Sequence, residues 1–82
     1  MIFKLLGDEI NINSTANDVY TSVLVRVVNR GNSNTVLIQK YSNGVQIAST
    51  TVLGNSEIVV EKGGTDTLIG ANMVATPVAY RY

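Results

Sequence analysis

The sequence predicts an all-β fold: a small antiparallel β-sandwich, Ig-like or jelly-roll-like, of about six or seven short strands. Three observations predict it. β-Branched and apolar residues come in short alternating runs, cut by Asn, Ser and Gly. Asn43-Gly44 stands between two such runs, the sharpest local sign of a hairpin. No stretch carries the apolar spacing of a convincing helix.

The chain of 82 residues reads as one domain spanning 1–82, with 1–18 as an extended N-terminal arm. Within it Asn11 to Asp18 is polar and rich in turn formers, and reads as either an ordered loop or a flexible arm. Val19 to Arg30 is the longest predicted strand. Val23, Val25 and Val27 share a fully apolar face that should meet the core. Leu24, Arg26 and Val28 share the other, mixed face. Gly31-Asn32-Ser33-Asn34 is a turn cluster. Thr35 to Tyr41 follows, with Val36 and Ile38 opposed to Leu37, Gln39 and Tyr41. A two-residue type I′ loop at Asn43-Gly44 should pair Thr35–Ser42 with Val45–Val52. Val45 and Ile47 should then point one way, Gln46 and Thr50 the other.

Gly54-Asn55 makes the next break. Glu57 to Lys62 is a short strand with Ile58 and Val60 on one face. Gly63-Gly64 permits almost any backbone path. Thr67 to Ile69 is a short strand or turn. Met73 to Tyr82 is the last strand, with Val74, Val78 and Tyr80 on one face. Pro77 cannot donate to a ladder, so this strand is expected at a sheet edge or bulged.

Composition limits the chemistry. There is no His, Cys or Trp, so Ser-His and Cys-His pairs are excluded, as are disulfides. Zinc and iron–sulfur sites lose their usual ligands. Asp8-Glu9 are neighbours, and neighbouring side chains in an extended chain point apart, unlike a catalytic carboxylate pair. Gly63-Gly64-Thr65-Asp66-Thr67 lacks the spacing and the following helix of a phosphate loop, and reads as a turn. Ser42 lies close to Lys40, but a catalytic lysine needs burial and a hairpin tip is wet. Asp8, Glu9, Asp18 and Asp66 show no calcium-loop pattern. The expectation is a non-enzyme with no cofactor and no metal.

Net charge is zero, and Lys4, Arg26, Arg30, Lys40, Lys62 and Arg81 are dispersed. That argues against nucleic acid as a partner. The opening Met1 to Glu9 is too short and too acidic for a signal peptide, and no run is long enough to span a membrane. Asn13-Ser14-Thr15 fits a glycosylation sequon and is read as chance. A domain this small is marginally stable, and without disulfide or metal its natural support is other subunits, so a homo-oligomer or multi-copy assembly is expected. Tyr20, Tyr41, Tyr80 and Tyr82 read first as strand-face and edge residues. Pro77, Val78, Tyr80 and Tyr82 form the candidate protein-contact end.

Three segments carry a family resemblance. They are Ser22 to Asn29 (SVLVRVVN), Glu61 to Leu68 (EKGGTDTL) and Ala75 to Tyr80 (ATPVAY). In this order they resemble small β-rich virion structural proteins of tailed bacteriophages, of marine and cyanophage type, over roughly residues 22–80. A departure is Gly63-Gly64, where a bulkier residue is expected. The resemblance implies a capsid decoration or cement protein docking on the major capsid protein or other virion proteins. Its location would be the virion, after synthesis in the host cytoplasm. A tail or head–tail connector component is the alternative, as is a small carbohydrate- or protein-binding module.

Overall fold

The computed structural model describes residues 2–81. Eight strands run in order: β1 Ile2–Leu5, β2 Ile10–Asn11, β3 Leu24–Asn29, β4 Thr35–Lys40, β5 Gln46–Val52, β6 Glu57–Glu61, β7 Thr67–Gly70 and β8 Met73–Arg81. Among the described residues there is no helix.

The strands form two antiparallel sheets. In sheet I, β1 and β2 lie end to end along one side of β8, β3 lies on its other side, and β6 lies beyond β3. Sheet II has the order β5-β4-β7. Residues 12–17 carry the chain from one sheet to the other. The Ile12 N–H donates to the Met73 carbonyl of sheet I at 3.1 Å, and the Ile12 carbonyl accepts the Gly70 N–H of sheet II at 3.0 Å. Asn17 and Leu68 then exchange both backbone bonds, at 3.0 and 2.9 Å. With this crossing counted as the outer member of sheet II, the orders are β1-β8-β3-β6 and residues 12–17, β7, β4, β5. This is the strand order of a jelly roll rather than of an immunoglobulin domain.

The opening segment is therefore part of the sandwich and not an arm standing off it. Ile10, expected within that arm, packs on the core, and Ile12 is fully buried. β2 is the strand that the sequence pattern lacked, because two paired residues leave no alternation to read.

The inner faces supply the core: Val25 and Val27 of β3, Met73 and Ala75 of β8, Leu37, Val52 and Leu68 of sheet II, with Ile12 and Val19 from the crossing and the turn after it. Ile58 and Val60 of β6 pack against it. Asn29 bolts the sheets together from a fully buried position. Its amide donates to the carbonyls of Ser33 and Val52, both at 3.0 Å, and accepts the Gly31 N–H at 2.9 Å. A buried amide is tolerated because its polar atoms are satisfied.

Four expectations need correction. The strand predicted from Val19 begins at Leu24, which leaves Val23 exposed. Val19, Tyr20 and Thr21 instead form a left-handed turn, with φ of 52°, 59° and 54°. Each such residue costs roughly 1–2 kcal/mol for an L-amino acid, most clearly when β-branched. Burial of Val19 offsets this, as do local bonds: Asn17 Oδ1 accepts the Val19 N–H at 2.8 Å, and the Val19 carbonyl accepts the Ser22 hydroxyl at 2.6 Å.

The hairpin at Gly44 exists, but its loop is longer than two residues. The Tyr41 N–H donates to the Val45 carbonyl at 2.8 Å, and the Gly44 N–H donates to the Tyr41 carbonyl at 2.9 Å. Gly44 has φ of +91° and Asn43 does not enter the left-handed region. This is the three-residue connection, a turn closed by a glycine bulge, and not type I′. The register then shifts between Gln39 and Lys40. Gln46, paired with Lys40, and Thr50, paired with Leu37, consequently face opposite sides of sheet II.

Finally, β8 is internal, not an edge. Pro77 survives there because β1 ends opposite Val78 and β2 begins opposite Ala75. The Pro77 carbonyl accepts the Leu6 N–H at 2.9 Å, so its backbone nitrogen faces this same break. The missing donor is placed where the neighbouring strand is interrupted.

Candidate functional site

The outer face of sheet I is apolar at one end. Antiparallel register places Phe3 beside Tyr80 and Leu5 beside Val78. The rings of Phe3 and Tyr80 are 5.2 Å apart and tilted by 35°, a common aromatic pairing geometry. Leu24, at the start of β3, continues the patch across Val78. Leu5 is 68% exposed and Tyr80 40%, whereas Val78 between its neighbours is 2% exposed. Further along, the face turns polar with the ion pair of Arg26 and Glu57.

The strained turn places a further aromatic at this end of the sheet, on its inner side. Tyr20, exposed at its centre, comes down on Gly7, where an added methyl would meet Pro77 Cγ at 3.0 Å and the Tyr20 ring at 3.5 Å. Only glycine lets Tyr20, Gly7 and Pro77 stack this closely. Exposed Leu6 and Val23 flank the same end of the sheet.

Of the contact residues expected from sequence, Val78 and Tyr80 share the outer face. Pro77 is on the inner side, buried under Gly7 and Tyr20. Tyr82 lies outside the described residues. Tyr20, Tyr41 and Tyr80 occupy a turn, a hairpin tip and a strand, and do not make a common stacking platform.

Sequence reasoning missed Lys62, which is only 5% exposed. Its ammonium donates to the carbonyls of Gly63 and Gly64 at 3.2 and 3.0 Å. Burial lowers its pKa from the ordinary value of 10.5, and the charges of Asp18 and Asp66 partly counter that. Asp66 is itself committed, its carboxylate accepting Gln39 Nε2 at 3.0 Å and the Gly63 N–H at 3.2 Å. The Gly63 carbonyl also accepts the Asp66 N–H at 3.0 Å, so lysine and turn share one acceptor. The arrangement fastens the loop from Gly63 to Asp66 against the left-handed turn, where a methyl on Gly64 would meet the Thr21 carbonyl at 3.0 Å.

Asp8 and Glu9 are exposed, and Glu9 approaches Arg30 at 4.0 Å. Among the described residues, no three acidic side chains gather closely enough to hold a metal ion. No helix there is long and apolar enough to cross a membrane.

On the side of the molecule away from the crossing, the sandwich is open. A groove of about 280 Å³ lies between β5 and β6, with Leu37, Val60 and Leu68 at its floor and Ala48, Thr50 and Glu61 at its rim. Ala48 and Thr50 point inward from β5 yet remain exposed, because nothing covers that side.

Comparison with protein-family models, with curated proteins and with solved structures yields no match.

Proposed function

We propose that this chain is a non-enzymatic structural subunit of a multi-copy protein assembly: a capsid decoration or cement protein docking on the major capsid protein of a tailed phage. The observation that carries the docking half is the apolar end of the outer face of sheet I, where Phe3, Leu5 and Tyr80 are exposed side by side. Contiguous apolar surface of this kind on a small domain marks protein contact. The internal polar groups support the same reading, since Asn29 and Lys62 are consumed in holding loops and sheets together.

The virion half is supported by the resemblance of residues 22–80 to phage virion proteins. Jelly rolls also serve as viral coat domains, which is an analogy of fold alone. With charges few and dispersed, attachment should rest on apolar contact and survive moderate salt.

The test is quantitative mass spectrometry of purified particles, joined to a binding assay. Many copies per particle would support decoration. A small number matching tail symmetry would move the protein to the tail or connector. Absence from particles would refute the assignment. Leu5→Asp and Tyr80→Asp should keep the fold, because both side chains are exposed, and should abolish attachment.

A further inference from the structure

We propose that β5 is a self-pairing edge, through which two copies of this chain join sheet II into one continuous sheet across a twofold axis. This deepens the multi-copy reading above, but it rests on a different surface from the apolar docking end.

Backbone geometry identifies the free groups. Leu68 and Gly70 of β7 donate away from β4, to Asn17 and Ile12. Their partners on β4, Gln39 and Leu37, therefore turn their own backbone groups toward β5, where they meet Ala48 and Thr50. Alternation leaves the N–H and C=O of Ser49 and Thr51 pointing outward. The bulge at Ile47 confines the regular edge to Ala48–Val52.

The four outer edges of the sandwich differ in how they are guarded. β7 is occupied by residues 12–17. The β1–β2 edge is interrupted between Leu6 and Glu9 and carries Lys4, Asp8 and Glu9. β6 bears Glu57 and Glu61 at its two ends, so two antiparallel copies would set Glu57 against the partner's Glu61. β5, Gln46–Val52, has no charge and no proline, and every residue but Val52 is exposed. Beyond the bulge at Ile47, its stretch Ala48–Val52 carries none of the usual devices against edge pairing.

A second copy is the occupant that chemistry favours. A partner chosen by charge would find none on β5 to read, whereas two neutral edges meet without repulsion. A twofold axis on Thr50 sets Ser49 opposite the partner's Thr51 twice over. All four outward N–H groups and carbonyls are then used in reciprocal pairs, with Thr50 facing Thr50 at the groove rim. The groove, at about 280 Å³, sits at the lower end of the small-molecule pocket range of about 300–1,000 Å³. A pairing this narrow makes a weak dimer, which dense packing in an assembly would favour.

Sedimentation velocity of the full chain over a wide concentration range tests it. The wild type should shift from monomer to dimer. S49K/T51K sets lysine against lysine at both positions and should raise the dissociation constant at least about tenfold. S49K/T51E sets lysine against glutamate and should keep the dimer. Circular dichroism and melting should be unchanged in both variants, since both positions are exposed. A wild type that stays monomeric, or equal behaviour of the two variants, would overturn the pairing. So would species growing beyond the dimer, which would mean head-to-tail joining of β5 to β6. A variant that is monomeric yet still binds particles would leave the docking reading standing, so failures of the two proposals separate.

Discussion

The two sides of this sandwich are built to opposite rules. On the closed side, residues 12–17 bond to β8 and β7 in turn, Ile12 and Val19 fill the core, and Lys62 locks the neighbouring loop. On the open side, β5 and β6 part over a groove, and the inward residues of β5 are small and wet. The lesson is that a chain of 82 residues closes its core fully on one side only. The free backbone is left where a neighbour can reach it.

The comparison can be broken most forcefully by paired truncations. Ile12→Ala, on the closed side, should cost about 2–5 kcal/mol of unfolding free energy, because a fully buried side chain is lost. Ile47→Ala, on the open side, should change stability by no more than about 0.5 kcal/mol. Urea unfolding of both variants decides it, and similar costs would mean that β5 is part of the core.

A smaller effect sharpens the account of the turn that completes the closed side. If Val19 to Thr21 are strained, Thr21→Gly should stabilise the protein by roughly 0.5–1 kcal/mol, glycine having no left-handed penalty. A destabilised variant would mean that the strain is relieved in solution.

The smallest effect depends on pH. At low pH Lys62 is charged in both states, and the native state bears the burial penalty. Above its lowered native pKa, the folded side chain is neutral, while the unfolded one stays protonated up to about 10.5. The unfolded state then binds more protons, so stability conferred by Lys62 rises with pH across that window. The difference in unfolding free energy between wild type and Lys62→Met should therefore shift toward wild type as pH rises. A difference flat with pH would remove burial as the cause.

Much of the open side was legible in the sequence, and little of the closed side. The hairpin around Gly44, the inward Val25 and Val27 and the β6 face of Ile58 and Val60 follow from local alternation and turn chemistry. The loop length at Gly44 did not follow, since Asn-Gly serves two- and three-residue connections alike. Val19 to Thr21 read as strand because β-branched residues favour it. Only burial of Val19 and the caps from Asn17 and Ser22 reverse that preference. Pro77 argued for an edge, and the interruption that accommodates it belongs to residues some seventy positions away. Of the contact residues, Val78 and Tyr80 were visible as one face. Phe3 and Leu5, which complete the patch, are brought to it by strand pairing that leaves no local signature.

Amide hydrogen exchange at single-residue resolution tests the central claim most directly. In dilute solution the Ser49 and Thr51 amides should exchange close to the unprotected rate, while those of Leu68 and Gly70 are strongly protected by the crossing segment. Raising the concentration should protect Ser49 and Thr51 selectively. Equal protection of all four amides at dilution, or no selective gain at Ser49 and Thr51 on concentration, would contradict a sandwich closed on one side and open to a second copy on the other.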